Sequence, residues 1–231
     1  MRSVVLVLVF LVLTVLAIPV LLVCALFGLR DVFLVYGRWM MRVGRRILGI
    51  DLVVSGLDRL DRGTPYVFMS NHLSFLDGPL LMIVLDRLAR VIVKRFVFRI
   101  PILGLGMRYS GYVPLDREGA GAGRRSIARA ASLIKEKGYS FLIYPEGTRS
   151  FDGKLRRFRR GGFFLALESA APIVPVSVQG TYELMPRGQR HVGKGRVRIT
   201  FHEPIPVTGL TVEKVPELME KARAAVSSGL T

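Results

Sequence analysis

The chain opens on an unbroken apolar run and only later settles into alternation. Between Ser3 and Leu29 no side chain carries a charge, a stretch of 27 residues. Coiled as a helix, it reaches about 40 Å, against roughly 30 Å for the hydrocarbon core of a bilayer. A cleaved signal peptide is the plainer alternative, but the run is long for one and lacks a convincing small-residue cleavage site. Pro19 interrupts the run and Gly28 closes it. It is therefore one tilted span, or two shorter helices that enter one leaflet and return. Residues 35–48 follow a helical period: Tyr36, Trp39, Met40, Val43 and Ile47 share a face, while Arg38, Arg42, Arg45 and Arg46 favour others. Two arrangements fit, an interfacial helix among lipid headgroups or an amphipathic helix packed on the rest of the protein.

Beyond about residue 50 the period changes. Short β-branched or aromatic runs alternate with helical stretches and Gly/Pro punctuation, the pattern of an α/β domain. Strands are predicted near Leu52–Ser55, Tyr66–Met69, Arg90–Val93, Ser140–Tyr144, Ile173–Val178 and Val197–Phe201. Several are apolar throughout, as strands covered on both faces tend to be. Helices fit Asp77–Leu88, Arg124–Lys137, Phe163–Ser169 and Val212–Val226, with Gly138 placed to stop the second. The chain thus divides into membrane-embedded and interfacial helices over residues 1–50 and an α/β domain over residues 51–231. Its expected core is a mixed, mostly parallel sheet flanked by helices.

Composition narrows the classes of function. The chain has 231 residues, 51% of them hydrophobic, and 34 Lys+Arg against 17 Asp+Glu leave a formal net charge of +17. So apolar a chain is not disordered. One cysteine, Cys24, excludes a disulfide scaffold, and three scattered histidines give no zinc cluster. The charge surplus calls for an anionic partner, either nucleic acid or a membrane with its phosphorylated lipids. The apolar N-terminal run favours the membrane, and no aromatic/basic platform for nucleic acid is present. Arg2 stands alone before the run, whereas Arg30, Arg38, Arg42, Arg45 and Arg46 follow it. By the positive-inside rule the remainder lies on the cytoplasmic face of the inner or plasma membrane.

Candidate chemistry begins where the second strand runs into a helix. His72 sits in that junction and Asp77 follows five residues later. On one regular helix that spacing separates the side chains by about 140°, so they meet only if His72 lies in the turn. If they meet, the carboxylate holds one ring proton and leaves the other nitrogen as a base. A capping histidine beside a surface aspartate is the plain alternative. Further on, a strand leads into Tyr144-Pro145-Glu146-Gly147-Thr148-Arg149. Gly147 lets backbone amides approach a ligand closely, and Arg149 offers a planar fork for a phosphate. A helix cap at Thr148 and a solvated arginine are the plain alternatives there. The segment Gly111–Arg117 is short, extended and ends in a second arginine.

Taken together these segments resemble the glycerolipid acyltransferases that acylate lysophosphatidic acid, the 1-acyl-glycerol-3-phosphate acyltransferases. Asn71–Asp77 matches that family's Asn-His-x4-Asp block. Tyr112–Arg117 is similar to its second block, with Pro114-Leu115 in place of Phe-Ile. Tyr144–Arg149 is similar to Phe-Pro-Glu-Gly-Thr-Arg, with tyrosine at the first position, and Val174-Pro175-Val176 to the fourth block. Lys94 with Pro101 and Gly104 resembles the Lys…Pro-x-x-Gly segment, and Phe158–Gly161 the Phe-Lys-x-Gly segment. The resemblance runs in order from about residue 52 to 206.

It implies a glycerol-3-phosphate acyltransferase-like fold and transfer of an acyl group from acyl-CoA or acyl carrier protein to the sn-2 hydroxyl of lysophosphatidic acid. His72 is then the base and Asp77 its orienting partner. Arg117 and Arg149, helped by Lys94, take the acceptor's phosphate, and Glu146 takes acceptor hydroxyls or an arginine. Backbone amides around Glu146–Gly147 are the expected oxyanion donors, and Gly147 and Thr148 are counted with the substrate-binding residues. No metal or tightly held organic cofactor is implied. The acceptor is open to alternatives, lyso-ornithine lipid or glycerol 3-phosphate among them. Two other possibilities are a non-catalytic membrane-anchored lipid binder and, with Ser74 as nucleophile, a thioesterase or lipase lacking the usual Gly-x-Ser-x-Gly elbow.

Overall fold

A computed structural model describes residues 2–85, 89–115, 121–189 and 191–230. The apolar run forms one helix, α1 (Arg2–Leu26), continuous through Pro19. A proline inside a helix removes one backbone bond and need not end it. The chain turns at Gly28, in the left-handed region at φ 70°, and returns as α2 (Arg30–Leu48). The two-helix form of the apolar run is therefore not what the chain adopts.

α2 packs on its neighbours through Leu34, Arg38, Gly44 and Leu48. At Gly44 a Cβ would lie 2.8 Å from the ring of Phe10, so the glycine lets α1 approach closely. Tyr36 donates its hydroxyl to the Leu13 carbonyl at 2.8 Å. Arg38, expected on a polar face, is buried instead, where its fork donates to the Leu85 carbonyl at 3.1 Å. The outer side of α1, including Leu8, Val12, Leu16 and Leu22, stays exposed. Among the described residues this is the one helix long and apolar enough to cross a membrane, over Val4–Leu26.

Among the described residues seven strands form a single sheet: β1 (Ile50–Ser55), β2 (Val67–Ser70), β3 (Ala89–Lys94), β4 (Val113–Leu115), β5 (Ser140–Ile143), β6 (Ile173–Gln179) and β7 (Gly195–Phe201). Their order is β1-β7-β6-β2-β5-β3-β4. From β6 to β4 the neighbours are parallel, and β7 meets β6 antiparallel with β1 parallel to it. The helices are α3 (Asp77–Val84), α4 (Leu103–Tyr109), α5 (Ala122–Lys137), α6 (Gly161–Ser169), the single turn α7 (Thr181–Leu184) and α8 (Val215–Ser228). The expected mixed, mostly parallel α/β sheet is what forms.

Both faces are covered, which is why the central strands read as continuous apolar runs. Phe68 of β2 belongs to a core shared with Leu80 and Leu81 of α3. Its neighbours Val67 and Met69 point the other way, into a core built with Ala130 and Ile134 of α5, Phe163 of α6 and Ala222 of α8. Arg90 of β3 is wholly buried, pairing with Asp31 at 2.9 Å, donating to the Ser110 carbonyl and lying 3.5 Å over the Tyr139 ring. It ties α2 to the sheet. The parallel arrangement brings the carboxyl ends of β6, β2, β5, β3 and β4 to one edge, where loops of an open α/β sheet form sites.

Candidate active site

β2 leaves the sheet at Ser70, and Asn71 sets the direction of the turn. Its amide donates to the Val178 carbonyl and its oxygen accepts the Val178 N–H, both at 2.8 Å, so the side chain prolongs the β2–β6 pairing beyond the strand. His72 lies in the turn and Asp77 opens α3, the one arrangement in which that spacing allows contact. His72 Nδ1 is 2.8 Å from Asp77 Oδ2. The same oxygen accepts the backbone N–H groups of Leu73 at 2.7 Å and Ser74 at 2.8 Å. The other oxygen accepts the Thr181 hydroxyl at 2.6 Å. Asp77 has no exposed side-chain surface, whereas the His72 side chain keeps 21% of its own. An acceptor-only carboxylate fixes the proton on Nδ1 and leaves the lone pair on Nε2.

The imidazole is also held from one face. The Tyr144 ring stacks on it with centroids 3.9 Å apart and planes 15° from parallel. Glu146 is buried and braces the loop beneath. Its Oε1 accepts the His72 N–H at 2.7 Å and its Oε2 the Arg156 N–H at 2.9 Å. Burial pushes its pKa up, opposed by those two amides. Both oxygens already hold backbone donors, so in this structure Glu146 supports the turn rather than facing a ligand. Gly147 adopts φ 73°, and its N–H closes the turn onto the Tyr144 carbonyl at 2.9 Å. That amide, expected to face an oxyanion, is engaged internally.

Thr148 and Arg149 are gripped by a residue that motif reading did not single out. Arg187 donates through one Nη to the Thr148 hydroxyl at 3.2 Å and to the Arg149 carbonyl at 3.1 Å. Its guanidinium lies 3.6 Å from the centre of the Phe151 ring. The Arg149 side chain itself is half-buried and has no hydrogen-bond or ion-pair partner among the described residues. Lys94 is exposed at the carboxyl end of β3, two strands from β2 in the sheet order. Arg117 lies outside the described residues.

Ser74 is buried, and its hydroxyl donates to the Met185 carbonyl at 2.8 Å. Its proton is directed away from His72, which is not how a serine nucleophile is held. Thr181 was also missed, and only its place after the strand-ending Gly180 could have signalled it. Among the described residues no group of three or more His, Cys, Asp or Glu is placed to hold a metal. Since Arg187 fixes the backbone of the loop carrying Arg149, R187A is expected to raise the acceptor KM about 10-fold with a smaller change in kcat. Steady-state kinetics against acceptor concentration checks this, the size being that of one lost charged hydrogen-bonding group.

Comparison with known proteins gives a consistent picture. The acyltransferase family model matches residues 51–179. The chain is 39% identical over 154 residues to 1-acyl-sn-glycerol-3-phosphate acyltransferase BAT2, chloroplastic, of Brassica napus, covering 66% of this chain and 44% of that protein. It is 36% identical over 179 residues to LPAT1, chloroplastic, of Arabidopsis thaliana, covering 77% and 48%. To the alpha enzyme of Homo sapiens it is 31% identical over 211 residues, covering 91% and 74%. The chain thus spans about half the length of the two plant relatives. Among solved structures, the 1-acyl-sn-glycerophosphate (LPA) acyltransferase PlsC of Thermotoga maritima superposes with a TM-score of 0.76 at 26% identity, over 99% of this chain and 96% of that one.

Proposed function

Because this chain belongs to the acyltransferase family, we propose that it transfers a fatty acyl group from a thioester to the sn-2 hydroxyl of lysophosphatidic acid, giving phosphatidic acid. The observation that carries this is the imidazole whose Nδ1 is held by Asp77 at 2.8 Å while Nε2 keeps its lone pair. A thioester is already activated, so the acceptor alcohol attacks it directly and needs only a base. Nε2 takes the hydroxyl proton as the new C–O bond forms. The C–S bond then breaks, and the proton passes from Nε2 to the departing thiolate. Asp77 stabilises the imidazolium between those steps.

The acceptor's phosphate is bound by the fork of Arg149, with Lys94 at the carboxyl end of β3 adding charge and Arg117 contributing as the motif resemblance implies. Holding that end fixes the hydroxyl against Nε2, which is where most of an intermolecular barrier is lowered. The donor is acyl-CoA or acyl carrier protein, met by the basic loop that carries Lys154, Arg156, Arg157, Arg159 and Arg160. α1 sits in the membrane with α2 alongside it and the α/β domain on the cytoplasmic face, so the lysolipid need not leave the bilayer. One assay tests the whole: purified protein in phospholipid vesicles, a labelled acyl thioester and a panel of lysolipids. Label is expected in phosphatidic acid. Label in acylated ornithine lipid instead would move the acceptor, and label only in free fatty acid, or none released, would overturn acyl transfer.

A further inference from the structure

Tyr144 carries a group that the reaction above leaves idle. Its ring is stacked on His72, and its hydroxyl oxygen is buried with no hydrogen-bond partner among the described residues. A buried donor without a partner is rare in a folded protein and costs stability unless something else supplies the acceptor. The block that this segment resembles begins with phenylalanine, so the hydroxyl is what this chain adds. Gly78 of α3 lies beside it, where an added Cβ would stand 3.7 Å from the phenol oxygen, in ordinary van der Waals contact with it. Gly78 and Pro79 are only half-buried, and the His72 side chain keeps 21% of its own surface. Burial first, and the charge of Asp77 second, push the phenol pKa well above its ordinary value, so it stays a donor throughout the working pH range.

The acyl groups of the two substrates each carry one uncharged carbonyl acceptor. One is the thioester carbonyl oxygen, and the other is the ester carbonyl that joins the existing chain of the lysolipid to its glycerol. We propose that the Tyr144 hydroxyl donates a hydrogen bond to an acyl carbonyl oxygen of the bound substrates, making Tyr144 a specificity-determining residue beside the His72–Asp77 pair. The proposal rests on the acyltransfer reading above but makes a separate claim about one phenol. It also accounts for a hydroxyl that no described residue satisfies.

The test is Y144F, compared with wild type in vesicles using a 1-acyl lysophosphatidate and its 1-alkyl ether analogue, which lacks the ester carbonyl. Y144F removes no bond within the protein, so its melting temperature is expected to equal or exceed that of wild type. If the phenol meets the thioester carbonyl, where charge develops, kcat falls about 100-fold with both acceptors. If it meets the lysolipid ester, wild type prefers the ester to the ether by about 10-fold, and Y144F erases that preference by raising KM for the ester alone. Equilibrium binding of both lysolipids to wild type and Y144F, run in parallel, reads the second contact without turnover. A wild-type protein that binds but does not transfer would therefore overturn the acyltransfer reading while still judging this one. Unchanged rates and unchanged binding would overturn the proposal, as would a lowered melting temperature with normal rates, the mark of a hydroxyl held only by an internal water.

Discussion

H72A is expected to lower acyl transfer by about 10³-fold while the protein stays folded. A positioned general base contributes typically 10²–10⁴-fold, and among the described residues neither Tyr144 nor Glu146 beside the imidazole replaces it. Tyr144 remains protonated and Glu146 has both oxygens engaged by amides. The fold survives because the turn is held by its backbone. The His72 N–H is bonded to Glu146 and its carbonyl accepts the Ser150 N–H at 2.8 Å, whichever side chain is present. Release of free thiol from the acyl donor, followed beside a thermal melt, separates chemistry from folding. S74A is the necessary contrast. A serine nucleophile would make S74A the inactive protein, whereas a hydroxyl donated to Met185 makes it a nearly fully active one, somewhat less stable. A protein that loses Ser74 and with it all transfer at an unchanged melting temperature would replace direct attack by an acyl-enzyme route, and an H72A protein within 10-fold of wild type would remove the base.

How legible these features were in the sequence depends on how local their causes are. β6 and β2 announce themselves because strands covered on both faces are apolar at nearly every position, Ser70, Ser177 and Gln179 being the exceptions. α5 ends at Gly138 in the left-handed region, as its composition suggests. α4 escaped notice, since Gly104 and Gly106 are poor helix formers. They are there for contact. A Cβ at Gly104 would press on the Phe98 carbonyl at 2.3 Å and one at Gly106 on the Phe33 ring at 2.5 Å, distances no sequence period reports. Arg38 and Arg90 look like surface charges for the same reason. The Leu85 carbonyl and the Asp31 carboxylate that hold them lie 47 and 59 residues away.

At the site, the contact of His72 with Asp77 was visible because one turn contains it. The expectations for Glu146 and Gly147 missed where their polar atoms point. The partners are main-chain groups, the amides of His72 and Arg156 and the carbonyl of Tyr144, and side-chain identities do not encode them. Thr181 and Arg187 join the site only because the parallel pairing of β6 with β2 brings the segment after β6 beside the turn after β2.

That long-range contact decides what substitution of Asp77 will do. D77N is expected to reduce transfer by about 10²–10³-fold, short of the roughly 10⁴-fold lost where the amide also leaves the histidine in the wrong tautomer, with only a modest fall in melting temperature. The carboxylate meets three N–H donors at one oxygen and a hydroxyl at the other. An amide satisfies this pattern in one orientation alone. Its oxygen keeps the N–H groups of His72, Leu73 and Ser74, and its NH2 turns to Thr181, whose hydroxyl can reverse and accept. The turn therefore survives with its tautomer intact, and what disappears is the negative charge that stabilises the imidazolium. D77A is the wrong control, because it leaves three buried N–H groups unpaired at about 1–3 kcal/mol each and would unfold the turn. T181V in the D77N background provides a better one. The amide then has no acceptor, so the melting temperature should fall further although the charge is already gone. If D77N alone transfers within 10-fold of wild type, the carboxylate is a cap for the start of α3 and the imidazole works without it.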